Sequence, residues 1–508
     1  MIEFIQAKIK YLVVLDLLML FSFFVIFRKQ IPIVINGIRN WKINYQAMTR
    51  TWDIQVVYLV LALMGFLIFL SAIFPLATDE CSTLWRFSAK GFYYSYCTYP
   101  IPNNHIMVSL MSNMVYPLVQ FFESPNLIRI VPLLISLIFF SYTLAYLKRK
   151  YDDLRLFIYW AAFLVLPSLL VYDYQLRGYV IMSYAGAALA ILIWNHLESK
   201  YFFPLFSIVQ IIGLCTHPGW LYTFAGTTLI VCILKLRDKK FLSNVFICAY
   251  LISGTTLMFY SPLFIFEGIA SVAKNKYVAP LPSLSYLDAF RWVDHIFEFY
   301  LSQVKFLSDF ELLKYVFYTS CLYVIVFRRK AAILAMPVLL VLMMMVLKQM
   351  PFERVFIGIF VFVLTTVLVS LPALPKMGIG VVISLSILVI TFAYWNYQFN
   401  YYSHDQSLAQ VQKYLRKDID DFKINTIYFG PNDCLPENLS VEYKWRNTKL
   451  QLVKCASVED AEIMASNDGG NSVIIYSNNK SGFSAALDDN SGYNVEVINR
   501  EYSLVRLP

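Results

Sequence analysis

The chain reads as long apolar runs separated by short polar interruptions. A helix needs roughly 17–25 mostly apolar residues to cross a ~30 Å hydrocarbon core. Residues 11–27, 54–76, 127–147, 156–171, 180–194, 202–215, 221–234, 241–263, 312–327, 331–347, 356–371 and 381–394 meet or approach that length. About twelve transmembrane helices are expected, because lipid offers backbone groups no partner and a helix satisfies its own. Residues 105–122, HIMVSLMSNMVYPLVQFF, mix His, Ser and Asn into the apolar positions and read as a helix lying along the membrane surface.

Lys and Arg set the orientation. Dense clusters fall at Arg28, Lys29, Arg39, Lys42 and Arg50; at Lys148, Arg149, Lys150 and Arg155; at Lys235, Arg237, Lys239 and Lys240; and at Arg328, Arg329 and Lys330. With residues 105–122 on the surface, strict alternation puts all of them on the cytoplasmic side, as the positive-inside rule requires. Both chain ends then lie outside, with Lys8 and Lys10 mildly against the rule. Arg28 and Lys29 follow the first apolar run where a signal peptide would carry small residues, so no cleavable signal is expected.

From about residue 400 the pattern changes to Asn, Asp, Lys and Ser with short apolar runs. Helices at 406–422 and 458–465 and strands at 426–429, 450–453, 472–476 and 495–497 predict a soluble α/β domain over 400–508, outside the membrane. Residues 1–399 form the transmembrane domain, with 77–125 as a first outer loop plus surface helix and 264–310 as an outer, lid-like loop. Composition agrees: of 508 residues 59% are hydrophobic and 15% charged, which excludes a soluble globule. The net charge of +9 belongs to cytoplasmic loops rather than to a nucleic-acid surface.

The same alternation collects the unusual polar loops on the outer face: 79–104, 173–179, 216–218, 264–310 and 348–354. Asp79 and Glu80 directly follow a span, where an acidic pair is either a solvated helix end or the edge of a water-filled site. Arg86, Lys90, Asn103, Asn104 and His105 follow closely. Four cysteines lie in or at the ends of spans; Cys81 with Cys97, and Cys434 with Cys455, form outer pairs, each able to close a local disulfide in an oxidising compartment.

Asp79-Glu80, Pro102-Asn103-Asn104-His105, Arg129-Ile130-Val131-Pro132, Arg177-Gly178-Tyr179, His217-Pro218 and Pro351-Phe352-Glu353-Arg354 follow one another along that face. In this order they resemble the polyprenyl-phosphate-sugar-dependent glycosyltransferases of the GT-C superfamily, with protein O-mannosyltransferases and lipid A aminoarabinose transferases as the nearest pattern. The chain departs from that pattern in an extra span before the acidic pair, in Asn-Asn-His where the family has Pro-Pro-Leu, and in Arg354-Val355 where it has Arg-Tyr.

The resemblance implies a multi-pass α-helical GT-C-like enzyme of a bacterial inner membrane. It would move a sugar from a polyprenyl-phosphate donor to a lipid, glycan or protein acceptor on the periplasmic side, inverting the anomeric centre. Asp79 would act as general base. Glu80 has three open roles: orienting the acceptor, binding a divalent ion, or pairing with Arg86. Arg177, Arg354, Lys274 and Lys276 are candidates for phosphate, and Tyr179, His105 and His217 for hydrogen bonding. For the two arginines an interfacial anchor, and for the histidines a wet helix end, stand as alternatives. No cofactor beyond a divalent metal is in view. Two other classes fit a polytopic chain: a lipid-linked glycan flippase or transporter, marked by charges through the bilayer, and a surface-polysaccharide polymerase or ligase.

Overall fold

The computed structural model describes Val14, residues 53–74, 76–99, 104–268, 279–280, 285–304, 311–328, 330–347, 349–372 and 376–398, and in the C-terminal part 410–411, 414–415, 424, 426–429, 451–455, 460, 463–464, 472–477, 495–497 and 502–506. The first predicted span, its basic loop, Asn103, Lys274, Lys276 and Cys434 lie outside the described residues.

Every other predicted span is a helix. They are α1 (Ile54–Ile73), α5 (Ile130–Lys150), α6 (Asp153–Val165) with α7 (Pro167–Tyr174), α8 (Tyr179–Asn195), α9 (Phe202–Thr216), α10 (Trp220–Leu234), α11 (Lys239–Phe266), α13 (Leu312–Val326), α14 (Ala335–Leu347), α15 (Ile357–Ser370) and α16 (Ile379–Asn396). Short helices α2 (Thr78–Arg86) and α3 (Phe92–Cys97) and the longer α4 (Ile106–Phe121) follow α1. Among the described residues five helices are long and apolar enough to cross a membrane, six if one bent pair counts as a single span.

That bent pair is α6 and α7, which meet at 79°. Pro167 has no N–H to give the preceding turn, and its ring pushes Leu166 to extended geometry (φ −85°, ψ 106°), so the 156–171 span breaks there. Helix α7 leads directly into the loop that carries Arg177. Its first turn is held by Gln303, whose Oε1 accepts from the Ser168 amide (2.8 Å) and hydroxyl (2.7 Å).

At the centre, α8 is buried along nearly its whole length against α15. Small residues allow the approach: a Cβ on Gly186 would stand 2.2 Å from the Gly358 carbonyl oxygen. Gly213 and Gly358 make room in turn for the fully buried Trp220. The Trp220 indole donates to Gln210 Oε1 at 2.8 Å, and Gln210 donates to Thr227 at 2.7 Å. Outward-facing residues such as Leu61, Ile68, Phe246, Leu257 and Leu388 stay exposed, as lipid contact requires.

The bundle has two chemically distinct ends. One gathers the residues expected to be cytoplasmic. Lys148 pairs with Asp53 (3.2 Å) and Asp153, Arg155 donates to the carbonyls of Leu371 (2.6 Å) and Pro372 (2.5 Å), Lys235 pairs with Glu198, and Lys330 donates to Ser370 (2.8 Å). The other end holds Asp79, His105, Arg129, Arg177, His217 and Arg354. Helix α4 leaves from His105, and the chain returns to Arg129 through a 3-10 turn, Pro125–Arg129, so α4 does not carry it to the basic end.

The 264–310 stretch is not an open loop. Helix α11 runs to Phe266, and α12 (Tyr286–Leu301) is a 16-residue amphipathic helix opened by a Ser285–Asp288 capping box. Ala289, Val293, Ile296, Phe297 and Tyr300 form its buried stripe. Strand β1 (Ala279–Pro280) pairs antiparallel with β2 (Gln349–Met350), joining this segment to the 348–354 loop.

The C-terminal strands β3 (Thr426–Phe429), β4 (Gln451–Lys454), β5 (Ser472–Ser477), β6 (Val495–Val497) and β7 (Tyr502–Arg506) form one sheet in the order β4-β3-β5-β7-β6. The first three are parallel, and β7 joins β5 and β6 antiparallel. Val411 and Leu415 are buried against Ile427, Val473 and Leu504. Strand β7 is one the sequence pattern did not predict.

Candidate active site

Three segments distant in sequence meet at one carboxylate oxygen. Asp79, in the first turn of α2, places Oδ2 3.1 Å from Arg177 Nη1 and 3.2 Å from Arg354 Nη1. Arg177 is buried, whereas Asp79 and Arg354 keep about a third of their side-chain surface exposed (36% and 34%). Arg354 makes a hydrogen bond; Arg177 Nη1 contacts the carboxylate off the hydrogen-bond axis. One anion thus faces two cations at the edge of solvent.

Each arm is braced from behind. Glu80, fully buried, accepts from Arg129 Nε (2.9 Å) and Nη2 (2.5 Å), from the Ala77 amide (3.0 Å) and from the Leu176 amide (2.9 Å). It thereby ties the start of α2, the start of α5 and the loop carrying Arg177 into one block. Arg354 sits in a 3-10 turn, Glu353–Phe356, held by α12: the Tyr300 hydroxyl donates to the Glu353 carbonyl (2.8 Å), and His295 Nε2 lies 3.1 Å from Glu353 Oε1.

Two imidazoles complete the cluster. The His105 ring lies 4.8 Å from that of Tyr179 and 5.0 Å from that of His217, and the Arg177 guanidinium lies over Tyr179 at 5.4 Å. Glycine makes this closeness possible. A Cβ on Gly178 would stand 2.6 Å from both His105 Nδ1 and Thr216 Cγ2, and one on Gly219 would stand 2.0 Å from Val355 Cγ1.

Burial, with Arg177 and Arg354 nearby, pulls His217 down to about 3; burial, Arg177, His217 and Arg354 hold His105 well below its ordinary value. Both rings are neutral at pH 7. His217 Nδ1 accepts the Gly219 amide at 2.9 Å, which leaves its proton on Nε2. His105, only 1% exposed, has no partner at either ring nitrogen.

Asp79, His105, Arg177, Tyr179, His217 and Arg354 are therefore brought together. The other expected residues differ. Glu80 is sealed off and pairs with Arg129, not Arg86. Arg86 is half-buried in the last turn of α2, about 10 Å along the axis from Asp79. Lys90 is exposed, with its ammonium 4.5 Å from the centre of the Tyr94 ring.

Asn104 is a structural knot: its amide donates to the carbonyls of Ser95 and Thr98, and its oxygen accepts from Ser109, all at 2.8 Å. Cys81 and Cys97 are thiols, not a disulfide. The helix turns Cys81 into the core, with Sγ 3.7 Å from the Leu76 carbonyl, while Cys97 ends α3 near the surface. Cys455 is a buried thiol.

Arg129 as the partner of Glu80, and Tyr300 and Gln303 as braces, were not read as site residues. The signal for Arg129 was a lone cation at the start of an apolar run. Among the described residues no three His, Cys, Asp or Glu side chains converge as a metal site; Glu80, for which binding a divalent ion was one of three open roles, pairs with Arg129.

No family model and no curated protein matches the sequence. Solved structures do share its fold. ArnT from Cupriavidus metallidurans in the apo state aligns at a TM-score of 0.53 and 11% identity, over 88% of this chain and 97% of that one. The same protein bound to undecaprenyl phosphate aligns at 0.54 and 11%, over 89% and 97%. The chain thus shares the overall fold of ArnT, and at this identity the likeness is one of fold alone.

Proposed function

We propose that this protein is an integral-membrane glycosyltransferase that moves a sugar from a polyprenyl-phosphate donor to an acceptor hydroxyl. The observation that carries the reading is the Asp79 carboxylate within 3.1–3.2 Å of two guanidiniums from separate loops. A fold shared with a protein solved with undecaprenyl phosphate bound supports the donor class.

The chemistry follows from the triad. Asp79 takes the proton of the acceptor hydroxyl; the acceptor oxygen attacks the anomeric carbon; the bond from that carbon to the phosphate oxygen breaks, with inversion. Arg177 and Arg354 hold the departing polyprenyl phosphate, a planar fork meeting a tetrahedral anion. Without donor, both cations rest on Asp79 and quench its basicity. A bound phosphate competes for them and leaves Asp79 free to accept a proton, so donor binding precedes acceptor activation.

The site end of the bundle faces the periplasm in this reading, since the opposite end carries the basic clusters. The 400–508 domain belongs on the same face: α16 ends where the Tyr397 and Tyr174 hydroxyls meet and Asn396 donates to the Gln303 carbonyl (3.2 Å). Helix α12, held against Glu353 beside Arg354, belongs to the lid in this reading.

The test is reconstitution in vesicles with labelled polyprenyl-phosphate sugar and an envelope-lipid acceptor extract. A new alkali-stable glycosidic product supports the reading. Movement of intact donor between leaflets, without such a product, indicates a flippase instead.

A further inference from the structure

Helix α7 begins without a cap of its own. Its N-cap position is Leu166, whose side chain has no acceptor for the amides of the first turn. Ser168, in that turn, is fully buried and removed from bulk solvent. The acceptor comes from a distant part of the chain: Gln303 Oε1 takes both the Ser168 amide (2.8 Å) and its hydroxyl (2.7 Å), a cap supplied from 135 positions away. The Gln303 backbone is itself held, because Asn396 donates to its carbonyl at 3.2 Å.

Just before Gln303 on the same segment, Tyr300 donates at 2.8 Å to the Glu353 carbonyl, in the peptide that joins Glu353 to Arg354. Tyr300 is fully buried, and its ring stacks on that of Phe360 in α15 at 4.5 Å, which sets the direction of its hydroxyl. The end of α12 therefore reaches the backbone in front of both arginines: directly for Arg354, and for Arg177 through α7, whose last residue is Tyr174. Beyond α7 the Leu176 amide is tied to Glu80, so this stretch is strung between two tethers and Gln303 is the first of them. A guanidinium serves an anion only within hydrogen-bond range, and a shift of about 1 Å in either segment loses that contact.

We infer that Gln303 and Tyr300 are positioning residues: from one segment they set the places of Arg177 and Arg354 on either side of Asp79, so that the two guanidiniums meet the donor phosphate as a fixed pair. The inference rests on the transferase reading and deepens it.

The experiment measures the affinity of the full chain in lipid nanodiscs for undecaprenyl phosphate, together with amide hydrogen exchange. Gln303→Leu, which removes the acceptor, and Tyr300→Phe, which keeps the ring and drops the hydroxyl, should each weaken binding about tenfold, the worth of one charge-assisted hydrogen bond. Gln303→Glu keeps the acceptor and should recover most of that loss. Ser168→Ala removes only the hydroxyl arm and should weaken binding about threefold; it serves if the leucine variant does not fold. Exchange separates positioning from general loosening. Gln303→Leu should quicken exchange within residues 168–177 and leave 353–357 as in the wild type, and Tyr300→Phe should do the reverse.

Unchanged affinity in either variant, or weakening matched by faster exchange across the whole chain, overturns the assignment. So does a loss that Gln303→Glu fails to recover. A wild type that does not bind undecaprenyl phosphate overturns the transferase reading itself.

Discussion

Glu80 and Arg129 lie 49 positions apart and close on each other through two parallel hydrogen bonds, both side chains fully shielded from solvent. Removing one member of a buried pair leaves the other charge stranded, at a cost of about 3–5 kcal/mol. Glu80→Gln and Arg129→Met should each lower the melting temperature sharply, and turnover with it, because the clamp that holds the Leu176 amide beside Arg177 is left with one buried charge unpaired. The double variant E80M/R129M removes both charges and should regain part of the stability but little activity, since the Ala77 and Leu176 amides remain unmatched. An unchanged melting temperature in the single variants would show that the clamp is not structural.

Asp79 should behave in the opposite way. Asp79→Asn keeps the size of a side chain that is 36% exposed and removes only its charge and basicity. Transfer should fall about 10²–10⁴-fold, the usual worth of a general base, with a small change in melting temperature. Arg354→Lys should raise the donor KM more than it lowers kcat, because an ammonium cannot form the two-pronged contact. Near-normal transfer by the asparagine variant, measured with labelled donor, removes Asp79 from the mechanism.

The sequence made the bundle legible because its two signals are local: apolar length and the placement of Lys and Arg. It also brought Asp79, Arg177, His217 and Arg354 to one end, since strict alternation needs no tertiary knowledge. Pairing was hidden. Nothing local distinguishes Asp79 from Glu80, yet helical rotation turns one to the partly exposed position beside Arg177 and Arg354 and the other into the Arg129 clamp. Helix α12 was legible and overlooked: Ser285-Tyr286-Leu287-Asp288 is a capping box followed by an apolar stripe at 3.6-residue spacing. Sidedness alone suggested the Cys81–Cys97 bridge, and sidedness says nothing of which way a helical cysteine points.

Gly178 has no unusual backbone angle; it is needed for space. Gly178→Ala drives a methyl group to 2.6 Å from His105 Nδ1 and Thr216 Cγ2, where backbone or ring must move. Overpacking of this kind costs roughly 1–3 kcal/mol, and the shift falls on the residue next to Arg177. Transfer should drop more than tenfold at about that stability cost. Gly380→Ala, with open space around its added Cβ, is the control and should leave both unchanged.

Thiol chemistry separates Cys97 from Cys81. A maleimide added to native protein without reductant should label Cys97, which is partly exposed, and spare Cys81, which is 1% exposed. Denaturation without reductant should then expose Cys81 to full labelling. If labelling of both requires reductant, a bridge exists and this part of the site is arranged differently.

Acid should weaken the fold through the two site histidines. In the unfolded chain a histidine binds its proton near its ordinary value of about 6.5; in the folded protein His217 does so only at about 3, and His105 well below its ordinary value. Between those limits the unfolded state holds more protons, so stability rises with pH. The full contribution is present above about pH 6.5 and is lost as pH falls. For fully buried His105 the slope is at most about 1.4 kcal/mol per pH unit; for partly exposed His217 solvent screening makes it smaller. Between about pH 5 and 6.5 ordinary carboxylates stay ionised, so a decline in melting temperature across that interval reports the histidines. The variant H105L/H217N should flatten it, and an equally steep decline in that variant would assign the acid sensitivity to other groups.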